Sequence, residues 1–232
     1  MLLVPLFHHT IGDCIYTKMT EAKRLQLTID GRKTEVTIDV KPTGFESAVF
    51  CAPFDAALSA VKKYSQEVIS LAQNAQIRIQ EGKDANVSKV GNFTREGVLY
   101  FPQDKPKLVR YSPILHSFKE ATELSRRNGA FYPSQSQIES ALIDSTDFPK
   151  SKTEIPTNRF DSDALAVWAF GGEDQARLYG EFLKNAGLDA MLVRETKSSY
   201  VLSQRNSFAR QVWFSSIEGK SCIDGTLSSL YS

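Results

Sequence analysis

The chain predicts an α+β fold, and three stretches carry that expectation. Residues 23–40 alternate apolar and polar side chains around Asp30-Gly31, the period-two pattern of a β-hairpin. Residues 53–80 repeat apolar side chains at three- and four-residue steps, the stripe of an amphipathic helix. Residues 173–193 read as a helix, a glycine stop and a buried strand, with further strand-like runs behind them. The arrangement expected is a long N-terminal helix with a β-hairpin, a central helix pair, and C-terminal helices packed on an antiparallel sheet.

The opening run MLLVPLF reads as a first strand, because it is too short and lacks the basic residues of a signal peptide or membrane span. In the hairpin, Leu25, Leu27 and Ile29 share one parity, and Val36, Ile38 and Val40 share another. Arg24, Gln26 and Thr28 then take the wet face. Pro53 suits the first turn of the next helix. The stripe runs from Phe54 through Leu58, Val61, Val68, Leu71 and Ala75 to Ile79, with Gly82 just past its end. Such a helix spans on the order of 40 Å.

Residues 83–115 hold two short strand-like runs, GVLYFP and KLVRYSPIL, among glycines and prolines. Ser117 with Glu120 and Ser134 with Gln137 are capping-box pairs, and they open the two helices of the central pair. Residues 144–160 carry two prolines and few apolar side chains, so they read as a loop or linker. That places a boundary between an N-terminal region, 1–150, and a C-terminal region, 151–232, unless the two are one continuous domain. Asp161 or Ser162 caps the helix DALAVWAF, Gly171-Gly172 breaks it, and Gly187 stops the next one. LDAMLV, SSYVLSQ, ARQVWFSSI and KSCIDG read as four strands.

Composition narrows the function classes. With 232 residues, 41% of them hydrophobic and 24% charged, a core forms without disulfides or metals. The net charge of +1 supplies no global field for nucleic acid or an anionic membrane. Cys14, Cys51 and Cys222 are odd in number and far apart, which fits a reducing, cytoplasmic setting and excludes a zinc ribbon. Asn86 and Asn92 begin N-x-S/T sequons that carry no weight in that setting. Adjacent His8 and His9 point to opposite faces of a strand, so with Asp13 and Cys14 they make no metal site. No phosphate loop, dinucleotide fingerprint, HExxH or GxSxG occurs, and no cofactor is expected.

The stretch GGEDQARLYGEFLKNAGLDAMLV, residues 171–193, resembles the nucleophile helix and following strand of the transglutaminase-like, papain-like cysteine hydrolases. Glu173, Asp174 and Ala176 match the positions after the nucleophile, Gly187 the helix stop, and Met191 to Val193 the strand. The later segment RQVWFSSIEGKSCIDGT is similar to the histidine and aspartate strands, with Asp224 at the triad aspartate. Gly172 stands where the nucleophile belongs, and Gln211 where the histidine belongs. The resemblance covers residues 162–228, and it implies a papain-like core that has lost its catalytic cysteine and histidine.

The function expected is therefore a non-catalytic binding or assembly module whose partner is another protein, with no membrane contact. Two alternatives stand beside it. A cysteine-dependent hydrolase would use Cys51, placed before a helix N-terminus that lowers a thiol's pKa, with His116, His8 or His9 as its base. The apolar neighbours Val49, Phe50, Ala52 and Phe54 favour a buried, inert thiol there instead. A nucleic-acid-binding protein would use the helix pair 117–144, with Arg126 and Arg127, or the basic C-terminal sheet. On that sheet Arg194, Arg205 and Arg210 lie among aromatics such as Trp213.

Overall fold

A computed structural model describes residues 14–17, 23–29, 32–42, 46–51, 58–59, 61, 67–117, 130–196, 198–218 and 221–226; up to residue 51 and at Ser198 the backbone alone is described. The hairpin expected around Asp30-Gly31 is present. Strand β2 (Lys23–Ile29) pairs antiparallel with β3 (Arg32–Pro42), from Lys23 opposite Ile38 to Ile29 opposite Arg32. That register leaves two residues for the connection, as an Asp-Gly turn requires. Next to β3 lies β4 (Glu46–Cys51), and beyond it β1 (Cys14–Thr17).

A long strand, β5 (Asn92–Tyr100), joins this part to the rest. One edge of β5 is shared. Asn92 and Phe93 pair parallel with β1, and Gly97 to Leu99 pair antiparallel with β6 (Lys107–Val109). The other edge takes β10 (Phe208–Phe214) almost along its length. The sheet continues through β11 (Cys222–Asp224) and β9 (Ala190–Arg194) to β8 (Thr153–Pro156), while β7 (Ser145–Asp147) adds to β6. Among the described residues this is one sheet of 11 strands. It is mixed: β9 and β11 run parallel, as do β1 and β5. The α+β class is therefore right, and the expectation of an antiparallel C-terminal sheet is corrected.

Three helix readings and one loop reading also change. The helix expected over 53–80 is not continuous, because residues 67–70 are non-helical although Leu58, Ser59 and Val61 are helical. Helix α1 (Leu71–Glu81) starts afresh at Ser70, whose hydroxyl accepts from the Gln73 amide while the Gln73 side chain accepts from the Ser70 amide. The Ile69 carbonyl is turned away to accept from Arg95 in β5. The Ser-x-x-Gln box and that cross-link win over an uninterrupted apolar stripe. A single turn, α2 (Asn86–Lys89), follows.

Residues 113–115 form a short 3-10 turn, η1, started by Pro113. Of the central pair, the second helix forms as expected: α3 (Gln135–Leu142) has the reciprocal Ser134–Gln137 box. The first helix falls on residues 118–129, outside the described residues. The linker expected at 144–160 instead holds β7, β8 and a 3-10 turn at 157–159. The helix α4 (Ala164–Phe170) is capped by Asp163 rather than by Asp161 or Ser162. The run SSYVLSQ forms α6 (Ser198–Ser203), not a strand; it buries Val201 alone of its central residues and leaves Leu202 in solvent.

The core lies between the sheet and the helices α1, α4 and α5 (Glu173–Asn185). Phe160, Phe170, Tyr179 and Phe214 meet at its centre, with ring centroids 4.7 to 6.3 Å apart. A buried cation, Arg78 of α1, lies over the Phe214 ring at 4.0 Å and donates to the Tyr179 hydroxyl and the Phe214 carbonyl.

Candidate functional site

Strands β6 and β7 carry a set of side chains at one end. Arg110 follows β6 and Asp144 precedes β7, and the Arg110 amide donates to the Asp144 carbonyl at 3.0 Å. The Arg110 guanidinium donates from Nε to Asp144 at 3.2 Å and from Nη2 to the Trp168 carbonyl at 3.0 Å. It stacks over the Trp168 ring at 3.7 Å, and the indole N–H donates back to Asp144 at 2.9 Å. Arg110, Asp144 and Trp168 therefore hold one another through both planar stacking and charge-assisted bonds.

Behind Arg110 sits a fully buried carboxylate. Glu96 of β5 accepts from the Leu71 amide at the start of α1 at 3.0 Å, and it lies 3.7 Å from Arg110 and 4.0 Å from Arg95. Burial pushes its pKa up to about 7, against the opposing pull of the backbone amides and of Arg95. Next to it Gln211 of β10 is buried, and its amide donates to the carbonyls of Thr94 and Glu96, the latter at 3.0 Å.

In front of Arg110 a groove of about 590 Å³ opens between η1 and α3. Tyr111, Pro113 and His116 line it from the η1 side, and Ser136, Gln137, Ser140 and Ala141 of α3, with Ile143 at its C-terminal end, from the other. The Gln137 side chain also donates to Ser117 at 3.2 Å, which ties α3 to the turn after η1. Helix α3 buries none of its residues, Ile143 is 87% exposed and Tyr111 is 50% exposed. Tyr111 is not loose, because Arg95 lies over its ring at 4.6 Å and donates to its hydroxyl at 3.2 Å. The groove offers hydrogen bonds, one fixed cation and apolar surface; among the described residues no hydrogen bond joins a nucleophile to a base there.

The residues singled out from sequence are dispersed. His116 lines the groove, in the turn after η1. Cys51 ends β4, where its backbone faces Cys14 on one side and Thr37 on the other. Asp224 accepts from the amide and hydroxyl of Thr226 at 2.7 and 2.6 Å and lies 3.7 Å from Arg194. Arg210 is buried, donates to the Thr226 carbonyl at 2.9 Å, and packs against Tyr200 and Phe208. Trp213, opposite Asp224 in register, packs edge-on against Phe93 at 4.8 Å. Arg205 is exposed, and Arg126 and Arg127 lie outside the described residues, as do His8, His9 and Asp13. The buried thiol of Cys222 has its pKa pushed up to about 12, first by burial and then by Asp224.

Sequence reasoning passes over Arg110, Asp144, Trp168 and Glu96. One signal marks two of them. Arg110 interrupts the apolar run KLVRYSPIL, where a charge needs a partner, and Glu96 stands just before the run GVLYFP, beside Arg95.

No protein-family model matches the sequence, and no curated protein matches it. One solved structure does, described as the accommodation of massive sequence variation in Nanoarchaeota by the C-type lectin fold. The two superpose with a TM-score of 0.59 at 15% identity, over 90% of this chain and 93% of that one. The chain is therefore similar in fold to C-type lectin-fold proteins. This corrects the transglutaminase-like resemblance of residues 162–228. The local geometry gives the physical reason. Gly172 has φ 127°, a backbone region L side chains rarely adopt, so a cysteine does not simply replace it. Gln211 points to the β5 backbone, and Asp224 is held by its own turn.

Proposed function

We propose that the chain is a non-catalytic binding module whose partner is another protein, engaged through the groove between η1 and α3. The observation that carries this reading is the exposure of Tyr111 and Ile143 on a concave surface, next to an Arg110 already immobilised by Asp144 and Trp168. Aromatic and arginine side chains held in place before association lose little entropy on binding, which is why they dominate interface energetics. Exposed large apolar groups beside a cleft mark interaction surfaces. The solved neighbour concerns sequence variation accommodated on this fold, which suits a scaffold that keeps its core and presents a changeable face.

The test is a photo-crosslinking residue placed at position 143 and activated in an extract of the source cells. The expected outcome is a discrete protein adduct, reduced at least tenfold by Tyr111→Ala without loss of melting temperature. A nucleic-acid adduct, or no adduct that Tyr111→Ala weakens, would reject the reading. Slow labelling of Cys51 by a thiol reagent, relieved only by denaturant, is the companion result expected of a non-catalytic chain.

A further inference from the structure

The other end of β6 and β7, where the Phe148 amide donates to the Pro106 carbonyl at 2.8 Å, carries a second cavity of about 190 Å³. It lies between the β5–β6 connection and α6. Its walls are apolar: Phe101, Pro102 and Pro106 on one side, Val201 and Leu202 on the other. Polar groups line it too, and one of them is unanswered. The Glu195 carboxylate lines the cavity, and its Oε2 is shielded from water with no hydrogen-bond partner. A buried carboxylate oxygen without a donor is rare, because its lost hydration is not replaced. Lys150 and Asp104, charges of opposite sign, also line the cavity. Asp104 is turned back to accept from the Lys105 amide at 2.6 Å.

From this pairing of an apolar sleeve with one unanswered carboxylate oxygen, we infer that the cavity binds a primary ammonium group carried on an unbranched aliphatic chain. The ammonium supplies the donor that Glu195 lacks, and the chain lies along Pro106, Val201 and Leu202 as long cationic side chains do on apolar surfaces. The size agrees. A cavity of about 190 Å³ has room for a four-carbon ammonium. The same chemistry occurs in a free alkylamine and in a partner's lysine side chain.

The experiment titrates the full chain with n-butylammonium, n-butanol and butyrate, followed by amide shifts at Thr196 and Val201. Saturable binding of n-butylammonium, at least tenfold tighter than the alcohol or the acid, is expected. Glu195→Gln should weaken it at least tenfold. Leu202→Trp should also abolish it, by filling the cavity with the carboxylate intact; Leu202 is 68% exposed, so the fold tolerates the change. Melting curves of both variants establish that they fold. A capped Gly-Lys-Gly peptide separates the sources. Tighter binding of the peptide points to a lysine side chain, and tighter binding of the amine to a small molecule. Equal binding of n-butanol, retention of binding in Glu195→Gln, or no shift with either amine would overturn the inference.

Discussion

Glu96 has the strongest individual consequence. Its carboxyl is removed from water and placed against an amide at the α1 N-terminus and two arginines, and burial prevails. In the folded protein it keeps its proton up to about pH 7, against an ordinary value of 4.5. Between those values the folded state binds more protons than the unfolded chain. Its contribution is therefore fully present below pH 4.5 and is lost as pH rises through 7. Urea midpoints measured from pH 5 to pH 8 should fall by an amount equal to about 1–3 kcal/mol. In Glu96→Gln that decline should flatten; an unchanged slope would mean that another group is responsible. Arg110 shows why this carboxyl matters for the groove, since one guanidinium meets both Glu96 behind it and Asp144 in front.

At the scale of elements, the local rules act strongly over a few residues and weakly beyond them. The Ser70–Gln73 box stops an apolar stripe from continuing as one helix, and the Ser134–Gln137 box starts α3 at its expected place. Ser70→Ala removes the acceptor for the Gln73 amide in a buried cap and should cost about 1 kcal/mol. The check is a lower urea midpoint with an unchanged denaturant slope. The hairpin at β2–β3 and the succession α4, Gly171-Gly172, α5, Gly187, β9 were legible because each signal is contained within about one turn or one strand. The run SSYVLSQ was not. Alternation over so few residues does not distinguish a strand from a helix, and packing of Val201 against the core decides. The site was illegible for a related reason: Arg110 meets Asp144 across 34 residues and Trp168 across 58.

At the scale of the whole molecule, β10 depends on β5. Six of its residues pair with β5, whereas two pair with β11. A fragment of residues 151–232 thus lacks the strand that β10 leans on, leaving β10 at an open edge, and it also lacks α1 against α4 and α5. The isolated fragment should show no cooperative unfolding transition by circular dichroism, and adding residues 67–150 should restore one. A fragment that melts cooperatively alone would instead make 151–232 an independent unit.

The sequence by itself determined the mixed class, the hairpin, the caps of α3 and the helix–glycine–strand unit, because period and capping act between near neighbours. It also suggested an active-site helix at 171–193, since the same local pattern serves many folds. Only the tertiary structure decided the strand order, the parallel pairing of β9 with β11, and the meeting of Glu96, Arg110, Asp144 and Trp168. Those depend on which distant segments bury each other's apolar faces and answer each other's buried charges, and no local periodicity records that choice.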